Sequence, residues 1–342
     1  MIVLCAVLSG VEDWVGREAC AEEKEAWWRG FLALPHGLPA HDPWSDVRGR
    51  IEPVAFRAAF TAWATAAWPG LGEEQLCIDG NAVRGSRDGA NPAVQVVSAF
   101  AGRARGVLAQ PAVAEPSKEI TAIPDRLALL DLPGAVVSLD ARGCQNALAQ
   151  TLVEAGADYV LALKDHPPTW CEAVPLGLET DVAHGPLPVL ETVEKDHGRI
   201  DSRRDALSRQ IDWLEAKPEG AGLQAVGRVE STRLIGEKAS TEGRYVLCAF
   251  PERDRFATTV GQHGGIENHP HGVLDVHFGE DACRTRHDPS AENLAVIRRR
   301  ALNVLRHKGP ARDSLRRRQL RAALNDDYRL RRLLGQPSPA TA

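Results

Sequence analysis

At 342 residues, 44% of them hydrophobic and 25% charged, the chain holds two or three structural units with ample core and is too apolar to be disordered. Its net charge of −5 does not mark it overall as a nucleic-acid binder. Seven scattered cysteines with no Cys-x-x-Cys pair argue against a zinc ribbon or a disulfide framework and fit a reducing, cytoplasmic setting.

The opening run Met1–Val11 is apolar but too short to span a bilayer, and no Lys or Arg precedes it as in a signal peptide. A core helix is expected there, with no membrane contact. Residues 1–70 read as a helical region that holds Trp14, Trp27, Trp28, Phe31, Phe56, Phe60, Trp63 and Trp68. Core packing explains that spacing better than a base-stacking surface does. Leu34–Trp44, with three prolines and two histidines, reads as a loop.

From residue 71 to 188 the pattern becomes α/β. The stretch Gln75–Ser86 brings one carboxylate, Asp79, on an apolar approach and then a glycine. Apolar residues return at Val94, Val96 and Val97, and at Val107, Leu108 and Val113, separated by Gly-rich turns. Three strands in an antiparallel meander are expected. Ser117 is a candidate N-cap for a helix to about Asp131, interrupted by Pro124. A second apolar strand, Ala135–Asp140, also ends on a carboxylate; a helix over Cys144–Ala155 and a strand over Asp158–Lys164 follow. Strands reached across helices add in parallel. The order β-β-β-α-β-α-β is that of a ribonuclease-H-like mixed sheet, in which the strands of Asp79 and Asp140 are neighbours.

Residues 189–250 read as a β-rich insertion, with strands at Val189–Val193, Ile211–Leu214, Ala225–Arg233 and Arg244–Phe250. The catalytic core then closes over 251–309. There Gly261–Asp281 is dense in His, Gly and acid, and a helix from Ser290 sets Leu294, Ile297, Ala301, Val304 and Leu305 on one face and Arg298–Arg300 largely on the other. A basic helical tail occupies 310–342. From Arg298 to Arg332 there are 13 Lys/Arg against 3 Asp/Glu, a local balance of +10 that leaves −15 on the remainder. Such asymmetry fits either a contact with phosphate or a solvated basic helix pair.

Two carboxylates on neighbouring strands repel each other unless a cation joins them or one is protonated. Oxygen ligands suit Mg²⁺ or Mn²⁺, and two such ions roughly 4 Å apart serve phosphodiester cleavage or strand transfer. The candidate third carboxylate is Glu267, 127 residues beyond Asp140, which is itself 61 beyond Asp79. His263, His269, His271 and His277 permit a zinc site instead, although the two-residue spacing of His269 and His271 diverges on a helix and no cysteine pair supports it. His197 and Arg199 flank a glycine and form either a phosphate contact or a turn. Lys164 either faces the acids or is solvated. No Gly-x-x-x-x-Gly-Lys-Ser/Thr or Gly-x-Ser-x-Gly motif is present, so NTPase and α/β-hydrolase functions lack support.

Ile78-Asp79-Gly80 with Arg84-Gly85-Ser86 resembles the first acidic motif of the DDE-type bacterial insertion-sequence transposases, in the branch of the H-repeat-associated proteins. Glu119–Pro124, Asp140-Ala141 with Cys144-Gln145, Gly156–Lys164, His197–Ile200, Ile266-Glu267-Asn268 with Val273–Val276, and Glu280-Asp281 with Arg284 and Asn293–Ala295 resemble its later motifs in order. The resemblance covers nearly the whole chain. It implies a ribonuclease-H-like catalytic domain, a metal-holding triad falling on Asp79, Asp140 and Glu267, two Mg²⁺ or Mn²⁺ ions, and excision and insertion of a mobile element in double-stranded DNA. Arg84, Lys164, His197, Arg199, Arg298, Arg299, Arg316 and Arg317 are the expected DNA contacts, and a homodimer would hold two element ends together. The family usually has Lys at Asn81, Arg at Gly261, Trp at Gly264 and Gly272, Leu at Pro270, and more chain before Met1. The missing chain before Met1 suggests a truncated N-terminal helical region, and the four changes within about ten residues of Glu267 suggest damage to the segment that presents it, as in a decayed copy. The competing functions are a metal-dependent nuclease without strand transfer and a non-catalytic DNA-binding remnant.

Overall fold

The computed structural model describes residues 1–68, 74–89, 92–102, 105–109, 112–113, 127, 130, 132–139, 146–163, 168–183, 187–196, 198–214, 220–268, 270–286, 288–307 and 313–335. Five helices come first: α1 (Ile2–Leu8), α2 (Trp14–Glu22), α3 (Glu25–Arg29), α4 (His41–Arg50) and α5 (Pro53–Ala67). Strands β1 (Gln75–Val83), β2 (Val94–Ala101), β3 (Gly106–Ala109), β4 (Ala112–Val113) and β5 (Val136–Leu139) follow, then α6 (Asn146–Glu154), β6 (Asp158–Ala162) and α7 (Pro168–Ala183). Next are β7 (Val189–Asp196), β8 (Arg199–Ser208), β9 (Ala225–Ile235) and β10 (Lys238–Cys248). The chain closes with α8 (Arg253–Asn268), α9 (Pro270–Phe278), α10 (Asp288–Arg306), α11 (Leu315–Leu324) and α12 (Asp326–Leu333). Among the described residues no helix is long and apolar enough to cross a membrane.

By its contacts the chain divides into two units, one of Met1–Pro69, Gly80–Pro116 and Asn268–Ala342, the other of Gly70–Asp79 and Ser117–Glu267. The first is built around α10, which packs against α1, α4, α5, β2 and β3. The opening run is a core helix as expected, with Ile2 and Leu4–Leu8 buried. Helix ends follow local chemistry: Asp13 caps α2 by accepting from Gly16 N at 2.6 Å, and the Glu52 carboxylate accepts from Val54 N and Ala55 N ahead of Pro53. The expected loop ends at Ala40, and Trp44 lies inside α4. Trp28 is fully buried, edge-on to Trp27 at 4.6 Å between centroids. β2 pairs antiparallel with β3 and β4.

Helix α10 departs from expectation. It is amphipathic as expected, but its polar face is buried as well, because its polar residues find partners inside. Asn303 both accepts from Val107 N (2.8 Å) and donates to Val107 O (2.7 Å), while Arg57 of α5 pairs with Glu292.

In the second unit the strand order is β1-β5-β6-β10-β9-β8-β7. β1–β5 and β5–β6 are parallel; β6–β10 and the β10-β9-β8-β7 meander are antiparallel. Phe256 and Val260 of α8 pack with Val160, Leu207, Val229 and Val246 of the sheet in one buried cluster. The expected strands at 189, 225 and 244 lie in β7, β9 and β10. Ile211–Leu214 is not a strand; the missing member of the meander is Arg199–Ser208, whose charged residues pair across strands, as Arg233 Nε does with Asp201 Oδ1 at 2.9 Å. The helix expected over 117–131 lies outside the described residues, apart from Leu127 and Leu130.

Candidate acidic site

A continuous apolar run drives β1 into the second unit. Leu76, Cys77 and Ile78 are buried, and Asp79 emerges from that run half-buried. The parallel register pairs Gln75 with Val136, Cys77 with Ser138 and Ile78 with Leu139. Asp79 is the next residue after Ile78. Asp140 is the next residue after Leu139 in sequence and lies outside the described residues. The backbone of Glu267 is in the last turn of α8, and its side chain lies outside the described residues.

Beneath these positions lies a buried polar chain that sequence reasoning missed. Gln75 Nε2 donates to Ser138 Oγ (3.0 Å), to Cys77 Sγ (3.3 Å) and to the Thr259 carbonyl of α8 (2.8 Å). Ser138 Oγ donates to Cys77 Sγ at 3.2 Å and lies 2.9 Å from His263 Nδ1. Burial, against the hydrogen bonds from Ser138 and Gln75, pushes the Cys77 thiol up to about 12, so it is an inert donor-acceptor rather than a nucleophile. The available signal was polar residues at 75, 138 and 263 inside stretches that are otherwise buried.

The glycines around Glu267 do not act as expected. Helix α8 runs unbroken through Gly261 and Gly264. A Cβ at Gly264 or Gly272 would meet nothing within 4 Å, and Gly272 is exposed. At Gly261 a Cβ would come within 2.8 Å of the Arg203 guanidinium, which is bonded to Asp205 and to the Ala257 carbonyl. Pro270 is the first residue of α9, where a missing backbone N–H costs little. The interior-proline penalty therefore does not apply at Pro270, and each helical glycine carries a propensity cost of about 1 kcal/mol.

The basic residues divide sharply. Arg298 and Arg299 were expected on DNA and are instead core, 1% and 0% exposed. Arg298 Nε donates to Phe278 O at 3.0 Å, and Arg299 forms a buried pair with Glu280 (2.6 Å) while Nε donates to Ser98 Oγ (3.1 Å). Desolvated and neutralised, Arg299 has no charge to offer phosphate. Arg318, Arg329 and Arg332 of the tail are buried as well. Arg332 Nη2 donates to the carbonyls of Val304 (2.7 Å), Leu305 (3.1 Å) and His307, and Arg318 Nη1 to Leu305 O (2.9 Å). They cap the C-terminus of α10, where carbonyls lack helical partners and cations are favoured. Arg316 and Arg317 are exposed, with Arg317 3.4 Å from Asp313. Arg84 is 81% exposed at its side chain and 3.5 Å from Asp281; Arg199 pairs with Asp201 at 2.6 Å. Lys164 and His197 lie outside the described residues.

Among the described residues no group of three or more His, Cys, Asp or Glu is gathered as for a metal ion. For the zinc alternative, His263 is turned to Ser138; burial and the charges of Arg316 and Arg306 lower His277; His269 and the side chain of His271 lie outside the described residues.

Residues 1–64 match the family described as DDE_Tnp_1-associated. A protein of Xanthobacter autotrophicus, described as an uncharacterized protein in the dhlA 3′ region, is 45% identical over 246 residues, 71% of this chain and 83% of that protein. YncI of Escherichia coli O157:H7, named as a candidate transposase, is 31% identical over 335 residues, 96% of this chain and 86% of its own. YhhI of Escherichia coli K12, named as an H repeat-associated candidate transposase, is 31% identical over 340 residues, 96% of this chain and 89% of its own.

Proposed function

The chain belongs to the DDE-type insertion-sequence transposases, and on that premise we propose that it cuts DNA at the ends of a mobile element and joins them to a target through Asp79, Asp140 and Glu267. The observation that carries this is the parallel register of β1 and β5, whose last pair, Ile78 with Leu139, directly precedes the two aspartates in sequence. Helix α8, which leads to Glu267, is bonded to both strands through Thr259 and His263. The parallel β1-β5-β6 ladder, with the antiparallel β2–β3 ribbon inserted in the chain between β1 and β5, supports a ribonuclease-H-like core.

Carboxylates presented side by side on adjacent strands repel each other, and an all-oxygen donor set fits Mg²⁺ or Mn²⁺ held by Asp79, Asp140 and Glu267. Such ions supply charge neutralisation at the scissile phosphate and a lowered pKa for the attacking water or 3′-hydroxyl. The protein's own part is placement. The buried run Leu76–Ile78 fixes the strand that carries Asp79, so little reorganisation is left for the reaction. Arg84, Arg199, Arg316 and Arg317 bind backbone phosphate and orient the duplex, with Lys164 and His197 as further contacts. A homodimer holds the two ends together.

A remnant that binds DNA without cutting it is the alternative; the unbroken α8 and the position of Pro270 weigh against it. The test is cleavage of a duplex carrying the element end, with Mg²⁺ or Mn²⁺, by the present chain and by Asp79→Asn, Asp140→Asn and Glu267→Gln. Cleavage abolished in all three variants is expected. Cleavage that survives any of them removes that residue from the triad, and binding without cleavage by the present chain selects the remnant.

A further inference from the structure

Resting on that reading, we propose that His263 is a positioning residue: through the chain Gln75–Cys77–Ser138–His263 it sets the level of Glu267 along α8 against the two strand aspartates. Helix α8 touches β1 and β5 at two points of this chain. Thr259 O accepts from Gln75 Nε2 at 2.8 Å, and His263 Nδ1 lies 2.9 Å from Ser138 Oγ. In register, Ser138 is level with Cys77, two residues on from Gln75. Four helix residues advance about 6 Å, and two strand residues advance roughly 6.6 Å. Gln75 Nε2 is itself 3.0 Å from Ser138 Oγ, so one turn of α8 is tied at both Thr259 and His263 to a single polar cluster on the two strands. One further step of the same size leads from His263 to Glu267, from Cys77 to Asp79 and from Ser138 to Asp140. In sequence, a member of the polar chain stands one such step before each of the three acidic positions.

The node at Ser138 is fully used. A hydroxyl has one proton and two acceptor sites; Ser138 accepts from Gln75 and shares the rest between Cys77 and His263. His263 is 7% exposed, so an imidazole there takes up this bond, whereas an aliphatic side chain would fill the volume without tying the helix to Ser138. Slipping by one residue moves a helix by about 1.5 Å and turns it by about 100°, beyond the roughly 0.5 Å tolerance of a preorganised site.

The probe is Mn²⁺ alone, its binding to the full-length protein read by electron paramagnetic resonance of the free ion, with thermal unfolding and DNA cleavage measured alongside. His263→Leu should stay folded and bind Mn²⁺ roughly 10-fold or more weakly, as loss of a ligand's support does. His263→Asn, which keeps a polar atom near the Nδ1 position, should recover most of that affinity. Ser138→Ala removes the same bond from the strand side and carries the test if the leucine variant does not fold. If all these variants bind Mn²⁺ like the unmodified chain while Asp79→Asn loses it, His263 does not position the site and the triad stands. If Asp79→Asn binds Mn²⁺ unchanged, the triad reading itself fails.

Discussion

Replacing Arg299 by alanine separates a core role from a DNA-binding role. Its guanidinium donates to Glu280 Oε1 (2.6 Å) and Oε2 (3.3 Å), Ser98 Oγ (3.1 Å) and the Ala295 carbonyl (3.2 Å), with both charged side chains 0% exposed. Arg299→Ala leaves the Glu280 carboxylate buried without that partner, a loss of roughly 3–5 kcal/mol. That is a large part of a typical 5–15 kcal/mol. Replacing both partners together, as Arg299→Met with Glu280→Leu, should cost far less than the two single changes added. Urea unfolding followed by tryptophan fluorescence reads this well, because six of the eight tryptophans (Trp14, Trp27, Trp28, Trp44, Trp63 and Trp68) lie in the same unit. The salt dependence of DNA binding is the second axis. A lost phosphate contact lowers the slope of log K against log[salt] by about 0.9; Arg299→Ala should leave the slope unchanged in protein that is still folded. Arg316→Ala should do the reverse, lowering the slope with a stability change within about 0.5 kcal/mol. A stable Arg299→Ala protein with a flattened salt slope would refute the assignment of this arginine to the core.

Gly85→Ala should destabilise the first unit by roughly 1–3 kcal/mol in the same urea assay, since its Cβ would press on the Cys283 carbonyl and come within 2.7 Å of the Asp281 carbonyl; an unchanged midpoint would mean this backbone contact is loose. Gly264→Ala should stabilise by about 1 kcal/mol through helix propensity, and Gly264→Trp or Gly272→Trp should change stability by less than about 1 kcal/mol, because both face open space; a gain of roughly 3–5 kcal/mol would restore the buried-anchor idea. Burial alone would raise the Cys283 thiol, but the Arg298 charge and hydrogen bonds from Arg298 and Thr285 outweigh it and hold the pKa below its ordinary value. Alkylation of Cys283 should therefore reach half its maximal rate at a lower pH than an unperturbed thiol does, while Cys5, Cys77 and Cys248, each pushed up to about 12 by burial, stay unlabelled in the native protein. Labelling of Cys77 ahead of Cys283 would contradict both assignments.

The strands that approach the site were legible because their signal is local. Leu76–Ile78 is a continuous apolar run and Val136–Leu139 is one interrupted only by Ser138, and such runs bounded by turns mark buried parallel strands. Strand β8 was not legible, because Arg199–Ser208 satisfies its charges across strands and so carries no apolar alternation. Helix α7 was passed over behind Pro168 and Pro175, although Trp170, Val174 and Leu178 are buried at four-residue spacing. The arginines of α10 misled for a physical reason. A buried arginine looks like a surface one in sequence, and the partners that permit its burial, Glu280 and Ser98, stand 19 and 201 residues away. The polar chain beneath the acids is equally distributed, joining residues 75, 138 and 263, and only the register of β1 and β5 brings it together.

The first unit is assembled from both extremes of the chain: Leu333 packs against the cluster of Ile2, Cys5 and Trp28, and the Arg329 guanidinium lies 4.3 Å over the Trp27 ring. During synthesis at about 5–20 residues per second, the residues between Trp28 and Leu333 take roughly 15–60 s to appear. Throughout that interval Ile2, Trp27 and Trp28 have their N-terminal neighbours but lack the cover supplied by Leu333 and Arg329. The second unit, complete by Glu267, has all its segments before then. Slowing the ribosome over the last helices should therefore lengthen the exposure of the N-terminal tryptophans to chaperones and proteases, whereas a pause placed before residue 117 should delay both units alike.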